Sequence, residues 1–298
     1  AAVNMLYGAA AAGARAMISS SSPGLALMQE GISMLAATEI PCVIVNVMRG
    51  GPGLGGIQPA QSDYFQMTRG GGNGDYRIIS LAPATLQESA EMMQEAFVLA
   101  QKYRTPVFVV SDGMLGQMME PVELRRSRSK KRAAEQPWIL TGHHNNRSPR
   151  TIKSLRLDPA ELEIHNLRLQ EKYRRISQAE VRFEAYREVD AELLFCAFGS
   201  TARIVKNSVD DLHQKGYRAG LIRPQTLWPF PALAFRSLPE SCKAVICVEM
   251  SCGQMLDDVR LAVEGRVEVH FYGRCGGMIP EPEELTARAL DILSGDSQ

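Results

Sequence analysis

Along this 298-residue chain the spacing of apolar positions changes repeatedly, and each change predicts an element. The opening residues 1–14 are small and helix-favouring, with no capping residue ahead of them, and lead into a strand over Arg15–Ser19. Leu25, Met28, Ile32 and Leu35 recur at helical spacing, which predicts a helix over 25–38. Cys42–Met48 is short, β-branched and almost wholly apolar, the pattern of a parallel strand covered on both faces. Strands over Ile78–Leu81 and Pro106–Ser111 flank an amphipathic helix over Thr85–Tyr103, a βαβ series. Asp158–Arg187 reads as a highly charged, solvated helix. Leu193–Gly199 is a strand ending in Gly199-Ser200-Thr201, a turn with helix-capping residues, before a helix over Ala202–Lys215. Further strands over Ala219–Arg223, Ala244–Glu249 and Val267–Tyr272 alternate with helices over Met255–Val263 and Pro282–Leu293. The fold class is α/β, with two doubly wound, largely parallel sheets.

Composition narrows the class. With 45% hydrophobic and 22% charged residues the chain reads as soluble and globular, and no apolar run reaches the ~20 residues of a membrane helix. Lys+Arg and Asp+Glu are 33 each, so no global field would draw the protein to nucleic acid or anionic lipid. A chain without net charge also has little repulsion against association, which points to a subunit of an assembly. The basic run Arg125–Arg132 lacks interleaved aromatics and opens a Pro-rich, polar stretch, so it marks a boundary rather than a nucleic-acid site. The expected division is 1–124, a connector over 125–188, and 189–298. Six cysteines without a Cys-x-x-Cys pair read as reduced thiols in a cytoplasmic protein, and neither an iron–sulfur cluster nor disulfides are expected in this chain. The chain opens without Met inside a helical run, which reads as a truncated start.

Candidate chemistry gathers after the apolar strand at 42–48. Arg49-Gly50-Gly51-Pro52-Gly53-Leu54-Gly55-Gly56 begins where that strand ends, and open α/β sheets bind ligands beyond the carboxyl ends of their strands. Glycines let a backbone approach a ligand, and a guanidinium matches a carboxylate with two parallel hydrogen bonds. Spacing alone leaves a flexible surface loop equally open, since this is neither a dinucleotide fingerprint nor a P-loop. Ser19–Ser22 with Pro23 and Gly24 lie between a strand and a helix; capping explains one or two serines, and four favour a polar ligand. Gly70–Gly72, Asn73, Gly74 and Asp75 form a second glycine-rich segment, expected near the Arg49 loop if one domain builds both edges of the cleft. Asp112-Gly113 with the distant Asn145-Asn146 imitates a metal–diphosphate motif only faintly, because a breaker-rich linker separates them. The histidines have no metal-ligand spacing, and no metal is expected in this chain.

Several of these stretches, in this order, resemble the 2-oxoacid:ferredoxin oxidoreductase α subunit, most closely its 3-methyl-2-oxobutanoate (2-oxoisovalerate) branch. They are residues 7–13, 19–24, 46–65, 70–77 and 112–121, then Leu221–Phe230, Val248–Ser251 and Gly273–Pro280, so the resemblance spans nearly the whole chain. It implies a thiamine pyrimidine-binding domain followed by a transketolase C-terminal-like domain. It implies oxidative decarboxylation of a branched-chain 2-oxoacid to acyl-CoA, with electrons passed singly through iron–sulfur clusters to ferredoxin. A partner β subunit would hold the diphosphate and Mg2+ of thiamine diphosphate, and small subunits the iron–sulfur clusters. Arg49, Gly50 and Gly51 would bind the substrate carboxylate, Ser21, Ser22, Pro23 and Gly24 the cofactor, and Gly72, Asn73 and Asp75 would form a second active-site loop. No catalytic residue is assigned, because the family's glutamate that contacts the pyrimidine, and its Thr-Pro-Ser loop, precede the segment with which this chain begins, so activity is expected to require that segment as well as the partner subunits. Asn73 stands where the family usually has His and Ile18 where it usually has Thr, which reads either as altered substrate preference or as drift. The alternatives are a 2-oxoglutarate-specific relative, a pyridine-nucleotide-linked oxoacid dehydrogenase component, or a non-catalytic fragment of such a subunit.

Overall fold

Cover on both faces is what makes the β-branched run at 42–48 an interior strand. In the computed structural model, which describes residues 1–124, 136–142 and 148–295, the chain enters through α1 (Ala2–Ala11), β1 (Met17–Ser21), α2 (Ser22–Ala26) and α3 (Gln29–Ala37), then lays down β2 (Cys42–Met48). α4 (Tyr64–Thr68), β3 (Ile79–Leu81), α5 (Leu86–Tyr103), β4 (Pro106–Asp112) and α6 (Gly113–Gln117) follow. The sheet order β1-β2-β4-β3 is parallel throughout, with Val43 opposite Val107 and Ile44 opposite Phe108. These four side chains are essentially inaccessible to water, which explains the absence of polar alternation in both strands.

The second half contains α7 (Pro159–Ala179), β5 (Phe183–Tyr186), β6 (Leu193–Cys196), α8 (Gly199–Gln214), β7 (Ala219–Pro224) and β8 (Thr226–Trp228). It ends with α9 (Ala232–Arg236), β9 (Ala244–Glu249), α10 (Gln254–Val263), β10 (Glu268–Gly273) and α11 (Pro282–Ser294). Strands β10-β9-β6-β7 are parallel. Two doubly wound, largely parallel sheets are thus present. Each also carries one antiparallel edge: β5 on β7, and β8, which returns to the first sheet and pairs with β3. Among the described residues no helix is long and apolar enough to cross a membrane.

Four local expectations change. The first strand runs to Ser21, because an edge strand pairs through its backbone and tolerates serine side chains. The helix expected over 25–38 breaks at Leu27–Met28, where the Met28 amide turns back to the Leu25 carbonyl and leaves Leu27 exposed. Gly199-Ser200-Thr201 is the first turn of α8, not a capping turn, and its hydroxyls bond to Asp112 at the end of β4 and to Gln61. The charged helix stops at Ala179, and Phe183–Tyr186 is a strand whose Glu184 turns to Arg223 at 2.6 Å. Arg125–Arg132, His143, His144, Asn145 and Asn146 lie outside the described residues.

Charge holds α7 and β5 in place. Lys172 donates to Glu39 at 3.3 Å and to the Arg104 carbonyl at 3.2 Å, and Lys102 and Tyr103 donate to Glu180 at 2.7 and 2.6 Å. Burial pushes the Glu39, Glu180 and Glu184 carboxyls up, but the cations and donors around them outweigh it and hold all three below the ordinary 4.5. A carboxyl depressed in the folded state contributes stability that is complete above its unfolded value and is lost as pH falls through its folded value. Stability is therefore expected to decline on acidification from about pH 4.5 downward. Urea midpoints taken from neutral pH to pH 4 and below check this, and Glu39→Gln should flatten the decline. A midpoint that rose with acid would contradict the assignment.

Candidate functional site

The carboxyl ends of the strands in the two sheets face each other along one seam, and buried polar groups close it. Gln61 is fully buried and donates its amide N–H to Met250 O at 2.8 Å. Its Oε1 accepts from Met250 N at 3.0 Å and Thr201 Oγ1 at 2.9 Å, and its Nε2 donates to Phe198 O at 2.9 Å. Ser200 Oγ donates to Asp112 Oδ2 at 2.5 Å, while Asp112 Oδ1 accepts from the amides of Met114 and Leu115 and caps α6. Asp112 thus serves as a helix cap and a clip between sheets. Tyr64 donates to Asp258 at 2.6 Å, and Arg69 meets the same carboxylate with two bonds of 3.0 Å.

Arg49 follows β2 directly, and its loop is closed at the base by a bridge to Pro59 and by Gly50 N donating to Gln58 O at 2.9 Å. The loop folds back on itself, which only glycine permits at position 55: φ is +55° and a Cβ there would come within 1.8 Å of Gly50 O. Residues 51–58 are exposed, including the apolar side chains of Leu54 (84%) and Ile57 (80%). A Cβ on Gly50 would lie 3.6 Å from the Gly276 backbone, so the segment after β10 backs the loop. The Arg49 guanidinium donates from Nε to Ser21 Oγ at 3.3 Å and from Nη1 to Gly56 O at 3.0 Å and to Leu54 O. Nη2 donates to none of the described residues.

The serine stretch and this loop form one unit. Ser21 ends β1 and Ser22 opens α2, with Pro23 in its first turn. Ser22 Oγ accepts from Arg49 N at 3.0 Å and donates to Asp63 Oδ2 at 2.5 Å. Gly24 is set by close approach, because a Cβ there would fall 2.1 Å from Ser20 Oγ. The bonds of the second glycine-rich segment go elsewhere. Gly71 N donates to Gln29 Oε1 at 3.2 Å, Gly72 N to Tyr76 Oη at 3.0 Å, and a Cβ on Gly72 would meet Gln29 O at 2.4 Å. Asp75 O accepts from Gln170 of α7 at 2.6 Å, and Asn73 is exposed. The run from Ser22 to Gln29 therefore links the two segments, one at each of its ends. Ile18 pairs with Ile44 and packs half-buried against the core.

Sequence reasoning passed over Gln61 and Asp63, which sit together in the stretch after the loop. The available signal was local: two polar residues beside Ala60 and Tyr64, in a segment flanked by apolar positions. The thiols of Cys42, Cys196, Cys242, Cys247 and Cys252 offer little nucleophilic character. Burial pushes Cys196, Cys242 and Cys247 up and Cys42 up to about 12, and contact with the Cys275 thiol pushes the exposed Cys252 up.

Comparison with known proteins places this architecture. Residues 1–188 match the family described as "Pyruvate flavodoxin/ferredoxin oxidoreductase, thiamine diP-bdg", and residues 191–285 match "Pyruvate:ferredoxin oxidoreductase core domain II". The chain is 45% identical over 297 residues to ketoisovalerate oxidoreductase subunit VorB of Methanothermobacter marburgensis, covering 100% of this chain and 83% of that one. It is 36% identical over 304 residues to 2-oxoglutarate synthase subunit KorA of Archaeoglobus fulgidus, covering 99% and 83%. Among solved structures it resembles the 2-oxoglutarate:ferredoxin oxidoreductase from Magnetococcus marinus, with a TM-score of 0.80 and 26% identity, over 97% of this chain and 55% of that chain. A split-gene transketolase shares the fold at 12% identity and a TM-score of 0.58, over 98% of this chain and 80% of that one.

Proposed function

Because this chain belongs to the family of 2-oxoacid:ferredoxin oxidoreductase subunits, we propose that Arg49 clamps the substrate carboxylate in the oxidative decarboxylation of a branched-chain 2-oxoacid to its acyl-CoA, with ferredoxin as electron acceptor. The observation that carries the reading is the placement of Arg49. It leaves a strand end in the seam between sheets, with Nη2 uncommitted and with the apolar Leu54 and Ile57 on the same loop. A planar fork beside apolar side chains suits a monocarboxylate with a branched apolar tail. A dicarboxylate asks for a second cation, and Arg274 at the adjoining strand end is already paired with Glu284 at 3.2 Å. The 45% identity to a ketoisovalerate oxidoreductase subunit, against 36% to a 2-oxoglutarate synthase subunit, supports the same substrate class. Its likeness to a solved 2-oxoglutarate enzyme favours 2-oxoglutarate as the second reading.

Thiamine diphosphate, when bound, supplies the electron sink for loss of carbon dioxide. The donor set of this chain suits the side of that cofactor away from the metal. Asp112 is committed to α6 and Ser200, and Glu249 accepts from Met255 N at 3.0 Å, Leu256 N at 3.1 Å and Ser251 Oγ at 2.6 Å. In this reading, as in the family this chain resembles, a partner β subunit holds the Mg2+ and diphosphate, and a small subunit holds the iron–sulfur clusters that pass electrons to ferredoxin. Ser21, Ser22, Pro23 and Gly24 form this chain's wall of the cofactor site, and Gly50 and Gly51 carry Arg49 close to the substrate. Gly72, Asn73 and Asp75 form the second loop beside it. Arg49 fixes the carboxylate and so presents the ketone carbon in one orientation. Free cysteines throughout the chain suit a reducing, cytoplasmic setting.

Assembly with the partner subunits tests the reading. Viologen reduction would be followed with coenzyme A and 3-methyl-2-oxobutanoate, 2-oxoglutarate or pyruvate. The branched substrate should give the highest kcat/KM. A higher value for 2-oxoglutarate would favour the second reading, and direct reduction of a nicotinamide cofactor by a complex without iron–sulfur colour would overturn the ferredoxin assignment.

A further inference from the structure

We propose that Asp63 is a positioning residue for Arg49, acting through the Ser22 hydroxyl; the inference rests on the reading of Arg49 as the carboxylate clamp. Asp63 is 6% exposed and stands at the N-terminal flank of α4, where an aspartate ordinarily accepts from the first helical amides. It makes no such bond. Its Oδ2 instead accepts from Ser22 Oγ at 2.5 Å and from Asn46 Nδ2 at 2.9 Å.

The direction of the relay follows from counting protons. Ser22 Oγ has one hydrogen and two acceptors within reach, Asp63 Oδ2 at 2.5 Å and Arg49 O at 3.3 Å. The shorter, charge-assisted bond takes the proton, which leaves the oxygen lone pairs of Ser22 for the Arg49 amide at 3.0 Å. The relay therefore runs from the Arg49 N–H to Ser22 and from the Ser22 O–H to Asp63. It holds the first residue after β2 at its backbone, while Ser21 Oγ holds the same residue at Nε. Two adjacent residues of the β1–α2 junction thus fix where Arg49 leaves the strand and how its side chain starts. The loop beyond residue 50 is exposed and rich in glycine, so the orientation of Arg49 depends on this junction rather than on the loop.

A clamp whose origin shifts by a fraction of an ångström binds its carboxylate less well, and the loss falls on the 2-oxoacid and not on the other substrates. In the assembled enzyme, Ser22→Ala and Asp63→Ala are expected to raise KM for the 2-oxoacid by about tenfold, with KM for coenzyme A unchanged. Asp63→Asn keeps an oxygen acceptor of the same shape and should recover most of the loss. It also keeps the question answerable if Asp63→Ala fails to fold. In the Arg49→Lys background, Ser22→Ala should add almost nothing, because groups acting through one another are non-additive. Independent, multiplicative effects of Ser22→Ala and Arg49→Lys would overturn the positioning role, as would an equal rise in KM for coenzyme A. If Arg49→Lys itself left the 2-oxoacid KM unchanged, the clamp reading would fail first, and the two failures are thereby told apart.

Discussion

Replacing Arg49 by alanine lowers kcat/KM for the 2-oxoacid by roughly 30- to 5000-fold, the equivalent of the 2–5 kcal/mol lost when one partner of a hydrogen-bonded charge pair is removed. Arg49→Lys keeps the charge but loses the planar fork, and should fall between the two. Protein stability should change little, since among the described residues the guanidinium bonds Ser21 Oγ and two carbonyls of its own exposed loop. Steady-state kinetics of the assembled enzyme with several 2-oxoacids, beside thermal melts, make the measurement. Wild-type kinetics on all of them would remove Arg49 from the substrate site.

The second large effect concerns stability. Arg223 is 2% exposed at its side chain, and it meets Glu88 with two bonds of 2.6 and 3.0 Å and Glu184 with one of 2.6 Å. Glu88 belongs to α5 and accepts from Ala84 N at 2.7 Å, so the guanidinium joins the second sheet to the first turn of a helix on the first. Arg223→Met leaves the part-buried Glu88 without a cation and Glu184 with Lys206 alone, which costs about 3 kcal/mol. Most of that should return in the double variant Arg223→Met, Glu88→Gln, because the penalty lies in the charge left unpaired on Glu88 rather than in the absent attraction. Urea unfolding of the three proteins decides it. A single variant within 1 kcal/mol of the parent would show that water reaches the cluster and screens it.

The contrast between these sites shows what a single sequence carries. The strand at 42–48 was legible because cover on both faces leaves an unbroken apolar run, and Arg49 was legible as the first charge after it. Glu184 was not. It sits in a charged stretch that fits a solvated helix, and only Arg223, brought alongside by strand pairing, makes it an inward-facing strand residue. β8 is three residues long, and its strand character comes from Ser80 and Leu81, which no local window contains. The bonds of Ser22 to Asp63 and Arg49 were not legible either, since its acceptor lies 41 positions away. Polar contacts over such separations leave no periodicity, whereas burial of whole strands does.

The exchange of edge strands bears on autonomy. β5 comes before residue 188 but completes the second sheet, and β8 comes after it but completes the first. Severing the chain between the regions matched by the two family descriptions would strip both products of a border strand at once. Each would present an unpaired row of amides and carbonyls, the kind of edge that recruits other chains. The two halves are better regarded as a single inseparable subunit than as modules to be shuffled.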